Sequence, residues 1–228
     1  SAVHPDDRAL IQQAVAEAIT TRRPYALDHR IRLPDGTERW VCERADVIFD
    51  AVGRPVTLVG VVQDTTERKQ AEQDIRRLAY IDTLTGMPNR AALLQRLRDA
   101  VQDARTKQQT LALLLINIKD FSDINDTLGH ENGDRVLVEV AVRLRRALWD
   151  SDTIARLTGD EFAVLLPRLA RREDIDLVVR KILNELRPVF VAADVPLEVR
   201  SAIGIALYPD HGADASRLYQ HADVALKA

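Results

Sequence analysis

The chain has 228 residues, 46% of them hydrophobic, with a formal net charge of −3. That length fits one large domain or two small ones, and the mild acidity gives no support to nonspecific nucleic-acid binding. No apolar run reaches the ~18 residues of a membrane span, no secretory signal opens the chain, and the single Cys42 excludes an internal disulfide framework. The last point fits a reducing, cytoplasmic setting. The abrupt start and stop suggest a fragment of a longer protein.

Residues 5 to 21 read as a helix. Pro5 suits the first turn, Asp6 and Asp7 lie near the positive end of the dipole, and Leu10, Ile11, Ala14, Val15, Ala18 and Ile19 form one apolar face. Pro24 ends it. Three β-like segments follow, Tyr25 to Leu33, Arg39 to Phe49 and Val56 to Gln63, with turns at Pro34-Asp35-Gly36 and Asp50 to Gly53. Their order predicts an antiparallel three-stranded meander. Thr66 to Asp82 is a charged helix with Glu67, Arg68, Lys69, Glu72, Asp74, Arg76 and Arg77 outward. Ala71, Ile75 and Leu78 make a narrow seam of the coiled-coil kind, barely two heptads long.

From Asn89 helices and strands alternate. Ala91 to Thr106 is an amphipathic helix with Leu93, Leu94, Leu97 and Val101 inward, and Leu111 to Ile118 has the continuous apolar look of a central strand. A short helix is predicted over Asp120 to Asp126 and a longer one over Asp134 to Leu148, with Val136, Leu137, Val140, Leu144 and Leu148 on its inner stripe. A helix over Glu173 to Leu186, a strand over Leu197 to Leu207 and a last helix over Ala215 to Ala228 complete the order. The fold class is α/β (α+β), with a mainly antiparallel sheet.

Between two β-favouring runs, Ala155 to Leu157 and Phe162 to Leu166, lies the polar stretch Thr158-Gly159-Asp160-Glu161. Turn chemistry at Thr158-Gly159 predicts a tight hairpin, with Gly159 free to adopt positive φ and two carboxylates at the tip. Such a tip can hold a divalent cation and a phosphate, or it can be a solvated turn.

Ile154 to Leu166 resembles the signature hairpin of GGDEF domains, the diguanylate cyclases. Leu84-Thr85-Gly86-Met87-Pro88-Asn89-Arg90 resembles that family's opening motif. Phe121, Ile124-Asn125-Asp126-Thr127-Leu128-Gly129-His130 and Gly133-Asp134 resemble its nucleotide-binding segment. The resemblance covers about residues 80 to 228 and implies a nucleotidyl-cyclase palm. His4-Pro5-Asp6-Asp7-Arg8, Arg32 to Gly36, Arg39-Trp40-Val41 and Gly60 to Thr66 resemble the C-terminal half of a PAS sensor domain. The implied division is a PAS segment over 1–66, a signalling helix over 67–82 and a GGDEF domain over 83–228. Without the other PAS half neither haem nor flavin is supported, and His4 and His29 read as structural.

Joining two GTP molecules needs divalent metal to neutralise phosphate charge. The resemblance assigns metal ligation to Asn117, the Ile118 carbonyl and Asp160, and catalysis to Asp160 and Glu161. It assigns nucleotide contacts to Asn125, Asp134, Phe121, Gly159 and Thr158. Several positions depart from the pattern. Asn117 replaces an aspartate, and losing that anionic ligand should weaken Mg2+ binding by ~1.5–3 kcal/mol. Lys119 replaces a second aspartate, Ser122 a lysine and Thr158 a glycine. Asn125 and Asp134 also lie near predicted helix ends, where capping is their other reading, and His130 reads as a packing or capping residue. The inhibitory site is degenerate: Asp152 is present, but Trp149 stands for the arginine that would clamp a phosphate. The family's triphosphate-binding lysine and arginine would fall just beyond Ala228. Together these features imply a degenerate GGDEF domain that binds GTP or dimerises through the signalling helix, controlling a downstream EAL phosphodiesterase. Two alternatives stand beside it: an active diguanylate cyclase making cyclic di-GMP, and a structural dimerisation module without nucleotide.

Overall fold

A computed structural model describes residues 2–192 and 195–228, apart from the side chains of Gln73, Arg76 and Ala192. The outward placement predicted for Arg76 therefore lies outside the described residues. The chain divides into two compact units, Ser1–Arg76 and Arg77–Ala228.

In the first unit a short 3-10 turn, Pro5–Asp7, leads into helix α1, Arg8–Thr21, which Arg22 ends in a left-handed conformation (φ 54°). Strands β1 (Tyr25–Arg32), β2 (Glu38–Phe49) and β3 (Pro55–Asp64) form the antiparallel meander in that order. Ala18 of α1 is buried, as are His29 of β1 and Val41, Ala45 and Val47 of β2. His4, also buried, accepts a hydrogen bond from the Asp6 amide at 3.3 Å and caps the 3-10 turn. Helix α2, Thr66–Tyr80, begins with its Thr66 amide donating to Asp64 Oδ1 at 2.8 Å. Lys69, predicted outward, is instead only partly exposed: its ammonium lies 2.7 Å from the Asp28 carboxylate and 5.7 Å from the centre of the Trp40 ring. Ile75 and Leu78 are 67% and 62% exposed, so the apolar seam faces away from its own chain.

The second unit is built on a four-stranded sheet in the order β5-β6-β4-β9, every neighbouring pair antiparallel. Its strands are β4 (Thr110–Ile118), β5 (Thr153–Arg156), β6 (Glu161–Leu169) and β9 (Ser201–Tyr208). β4 is central and almost wholly buried, as its unbroken apolar run requires when both sheet faces are covered. One face carries Ile116, Ile118, Phe162 and Val164 against helix α5 (His130–Ala147) and helix α6 (Asp174–Leu186). The other carries Leu113, Leu115, Ala163 and Ala206 against helix α3 (Arg90–Lys107) and helix α7 (Ala215–Lys227). Helix α4, Phe121–Leu128, follows the end of β4.

Two boundaries differ from the sequence reading by four residues each. Helix α5 starts at His130 rather than Asp134. Gly129 (φ 82°) breaks the chain after α4, and its carbonyl accepts the amides of Asn132 and Gly133, so Gly133 lies inside the helix. The strand predicted from Leu197 starts at Ser201. Leu197 belongs to a separate two-stranded hairpin, β7 (Phe190–Ala192) with β8 (Val195–Leu197). The buried guanidinium of Arg143 on α5 anchors the approach to that hairpin. It donates to the carbonyls of Pro188 and, at 3.1 Å, Val189, and lies 3.7 Å from the Phe190 ring centre.

Candidate functional site

The polar turn connects β5 to β6, as its composition predicts. It is centred one residue later than expected: the Glu161 amide donates to the Thr158 carbonyl at 2.9 Å, placing Gly159 and Asp160 at the middle. Gly159 takes φ 54°, which L-residues with a side chain rarely adopt, and no atom lies within 4 Å of where a Cβ would stand. The space above this glycine is open.

The sheet brings the end of β4 to this turn. Asn117 pairs with Glu161 in register, and the Ile118 amide donates to the Asp160 carbonyl at 3.2 Å. Asn117 Nδ2 donates to Asp160 Oδ2 at 3.2 Å. Thr158 Oγ1 lies 3.5 Å from Glu161 Oε2. Asn117, Ile118, Thr158, Asp160 and Glu161 are thus one cluster, assembled from segments about forty residues apart.

Magnesium prefers several hard, anionic oxygens in octahedral array. Here an amide N–H occupies one oxygen of Asp160, and an N–H turned toward a carboxylate is repelled by a cation placed there. Among the described residues no three or more His, Cys, Asp or Glu side chains converge as a metal site. The cluster offers two carboxylates, Asp160 and Glu161, and one oxygen of Asp160 is taken by the Asn117 amide.

The other nucleotide-contact candidates, Phe121, Asn125 and Asp134, lie across α4 and α5. Phe121 and Asn125 are half-buried on α4, and a Cβ at Gly133 would stand 1.9 Å from Asn125 Oδ1 and 3.2 Å from the Phe121 ring. Glycine at 133 is what lets the Asn125 amide lie against α5. The capping alternative does not hold for either polar residue. Asn125 is inside α4, with its backbone carbonyl accepting the Gly129 amide, and Asp134 is exposed in the second turn of α5. His130 is exposed at the start of α5, and neither it nor Gly129 supplies a side-chain cap. Ser122 is exposed on α4. Lys119 and Asp120 line a cleft of about 270 Å3 between α4 and β8, together with Arg200, which pairs with Asp120. Trp149 is 72% exposed beneath Lys181, whose ammonium is 5.3 Å from the ring centre, and its amide donates to Asp152 Oδ2 at 3.0 Å.

Two residues to which the sequence reading gives no role brace the turn. Arg156 donates through Nε and Nη2 to the Gly159 carbonyl at 3.0 and 2.7 Å, and through Nη1 to both Asp82 oxygens at 3.2 and 3.3 Å. Asp82 in turn accepts the Thr85 amide and hydroxyl at 2.8 and 2.6 Å. Burial pushes the Asp82 carboxyl upward, but the Thr85 donors and the Arg156 charge outweigh it, so its pKa is lowered. The motif around Leu84 to Arg90 is therefore tied to the turn: Pro88 accepts the Arg156 amide at 2.9 Å, and Asn89 caps α3 through the Ala92 amide at 3.1 Å.

Comparison with known proteins adds to this geometry. The GGDEF domain of diguanylate cyclases matches residues 79–228, and the PAS fold matches residues 1–62. The chain is 36% identical over 201 residues to the diguanylate cyclase TpbB of Pseudomonas aeruginosa, covering 87% of this chain and 46% of that protein. It is 36% identical over 196 residues to the bifunctional diguanylate cyclase/cyclic di-GMP phosphodiesterase MucR of the same organism, covering 82% and 28%. A solved structure of the GGDEF domain of TpbB superposes with a TM-score of 0.63 at 42% identity, over 65% of this chain and 87% of that one. The chain spans less than half the length of these two curated relatives.

Proposed function

The chain belongs to the diguanylate cyclase GGDEF family, with a PAS fold ahead of that domain, and from that premise we propose that this copy binds GTP without joining two of them. It is a regulatory domain of cyclic-di-GMP signalling. The observation that carries the reading is the hydrogen bond from Asn117 Nδ2 to Asp160 Oδ2. Where cyclase chemistry calls for two carboxylates on a metal, this chain has an amide holding one carboxylate. Purine recognition stands on firmer ground. The Asn125 amide, seated against Gly133, and the exposed Asp134 carboxylate can donate and accept along a guanine edge.

In the same reading the PAS segment is the sensor, α2 the signalling helix, and the seam of Ala71, Ile75 and Leu78 the contact across a homodimer. A rotation or register change of paired helices would pass the signal onward. The output is a phosphodiesterase of the EAL type; MucR's combination of the two activities supports it. A cytoplasmic location accords with the free Cys42, and among the described residues no helix is long and apolar enough to cross a membrane.

An active diguanylate cyclase is the second reading, favoured by the intact Asp160, Glu161, Asn125 and Asp134. The test is reversion. Asn117→Asp, Ser122→Lys and Thr158→Gly combined should raise cyclic di-GMP formation from an undetectable level to a measurable one. A triple variant that makes no product when carried in the longer parent protein, or an unmutated parent that already does, contradicts the assigned defect.

A further inference from the structure

We propose that Asp120 and Arg200 are positioning residues for the nucleotide: their ion pair fixes how helix α4 leaves β4 and so seats Phe121 and Asn125. The inference rests on the GTP-binding reading above and concerns what holds that site in place.

Helix α4 depends on its entry. It has eight residues, too few to be stable alone. Only Lys119 and Asp120 lie between the end of β4 at Ile118 and the first residue of α4, Phe121. The fit of α4 on α5 is narrow, since a Cβ at Gly133 would already meet Asn125 Oδ1 at 1.9 Å and the Phe121 ring at 3.2 Å. Along another flank the helix has room to shift: Ile124, Thr127 and Leu128 share a cleft of about 270 Å3 with Val195 and Leu197.

The joint itself departs from ordinary helix entry. A helix usually starts from an extended residue whose side chain accepts one of the first amides. Asp120 stands at that position with φ 57° and ψ 27°, in the left-handed region, and its side chain caps no amide of α4. Such backbone disfavours any residue with a side chain, aspartate less than most. The Asp120 carboxylate instead pairs with the Arg200 guanidinium. Arg200 meets the joint a second time, because its carbonyl accepts the Lys119 amide at 2.8 Å. It is anchored in turn by the next residue, Ser201, which pairs with Ile118 in the sheet. The two contacts therefore fix the left-handed step between the central strands and α4. The pair is exposed, 78% for Arg200 and 53% for Asp120, and such a pair adds little stability by itself. Its effect is on direction, at a residue whose backbone would otherwise relax.

The test is the affinity of the 228-residue chain for GTP and for guanosine, measured by calorimetry, with hydrogen exchange of α4 read on the ligand-free samples. The account predicts that Arg200→Met weakens both ligands about threefold and Asp120→Ala about tenfold. Amides of α4 should exchange faster in both variants, with the melting temperature unchanged. Asp120→Asn should bind like the parent, since asparagine tolerates the left-handed step and its side-chain oxygen still accepts from Arg200. Guanosine separates positioning from contact, because a guanidinium that touched phosphate would affect GTP alone. Unchanged guanosine affinity in Arg200→Met and Asp120→Ala, or an Asp120→Asn variant as weak as Asp120→Ala, overturns the proposal. A parent chain that binds neither ligand is a distinct result: it defeats the GTP reading itself, and this proposal with it.

Discussion

The turn at Thr158–Glu161 is held in shape by residues that make no chemistry of their own. Arg156 is strapped between Asp82 and the Gly159 carbonyl, and the two charged side chains, Arg156 and Asp82, are largely removed from water. Cutting one side leaves a charge half-buried and unpaired, so Asp82→Asn and Arg156→Met should each cost about 1–3 kcal/mol in urea unfolding of the second unit. The double variant should cost clearly less than their sum; strict additivity would mean that the two side chains do not act together. These residues also show where sequence reading stops. Gly159, Asp160 and Glu161 are legible because turn chemistry and carboxylates are adjacent in the chain. Asp82 and Arg156 are 74 positions apart, and nothing local in either segment announces the other.

Among elements, the long periodic ones are where the sequence puts them. Helices α3, α6 and α7 and strand β4 match their predicted spans to within a residue or two, because an apolar stripe of period 3.6 or a continuous apolar run leaves little choice. The failures are places where a side chain from elsewhere decides. The β7–β8 hairpin is approached through carbonyls that Arg143 gathers from α5, and the start of α5 is set by Gly129 and the fit of Asn125 against Gly133. Helix α2 carries the element-scale prediction. With Ile75 and Leu78 facing outward, Ile75→Glu and Leu78→Glu together should leave the fold and its melting temperature unchanged while converting a dimer to a monomer in light scattering. A double variant that remains dimeric would remove the seam from the account.

At the scale of the whole molecule there are two compact units, and acid should act on the first through a named pair. Arg30 donates to both oxygens of Asp7, at 2.7 and 3.0 Å, and its hydrogen bond holds the Asp7 carboxyl down from 3.8 to about 2 against the opposing effect of burial. A carboxyl with a depressed folded-state pKa contributes stability above its unfolded value and loses it as pH falls through the folded one. The thermal transition of the first unit should therefore fall between about pH 4 and pH 2, and Asp7→Asn should flatten that dependence; a parent and variant with parallel pH profiles would show that the pair contributes nothing. The central claim reaches further than either unit's stability, since it says what the second unit does with a nucleotide. The measurement that bears on it most directly is a calorimetric titration of the chain with GTP, with the same samples chromatographed for products. Binding with GTP recovered intact is the predicted result; cyclic di-GMP in the chromatogram, or a titration with no heat of binding, would contradict it.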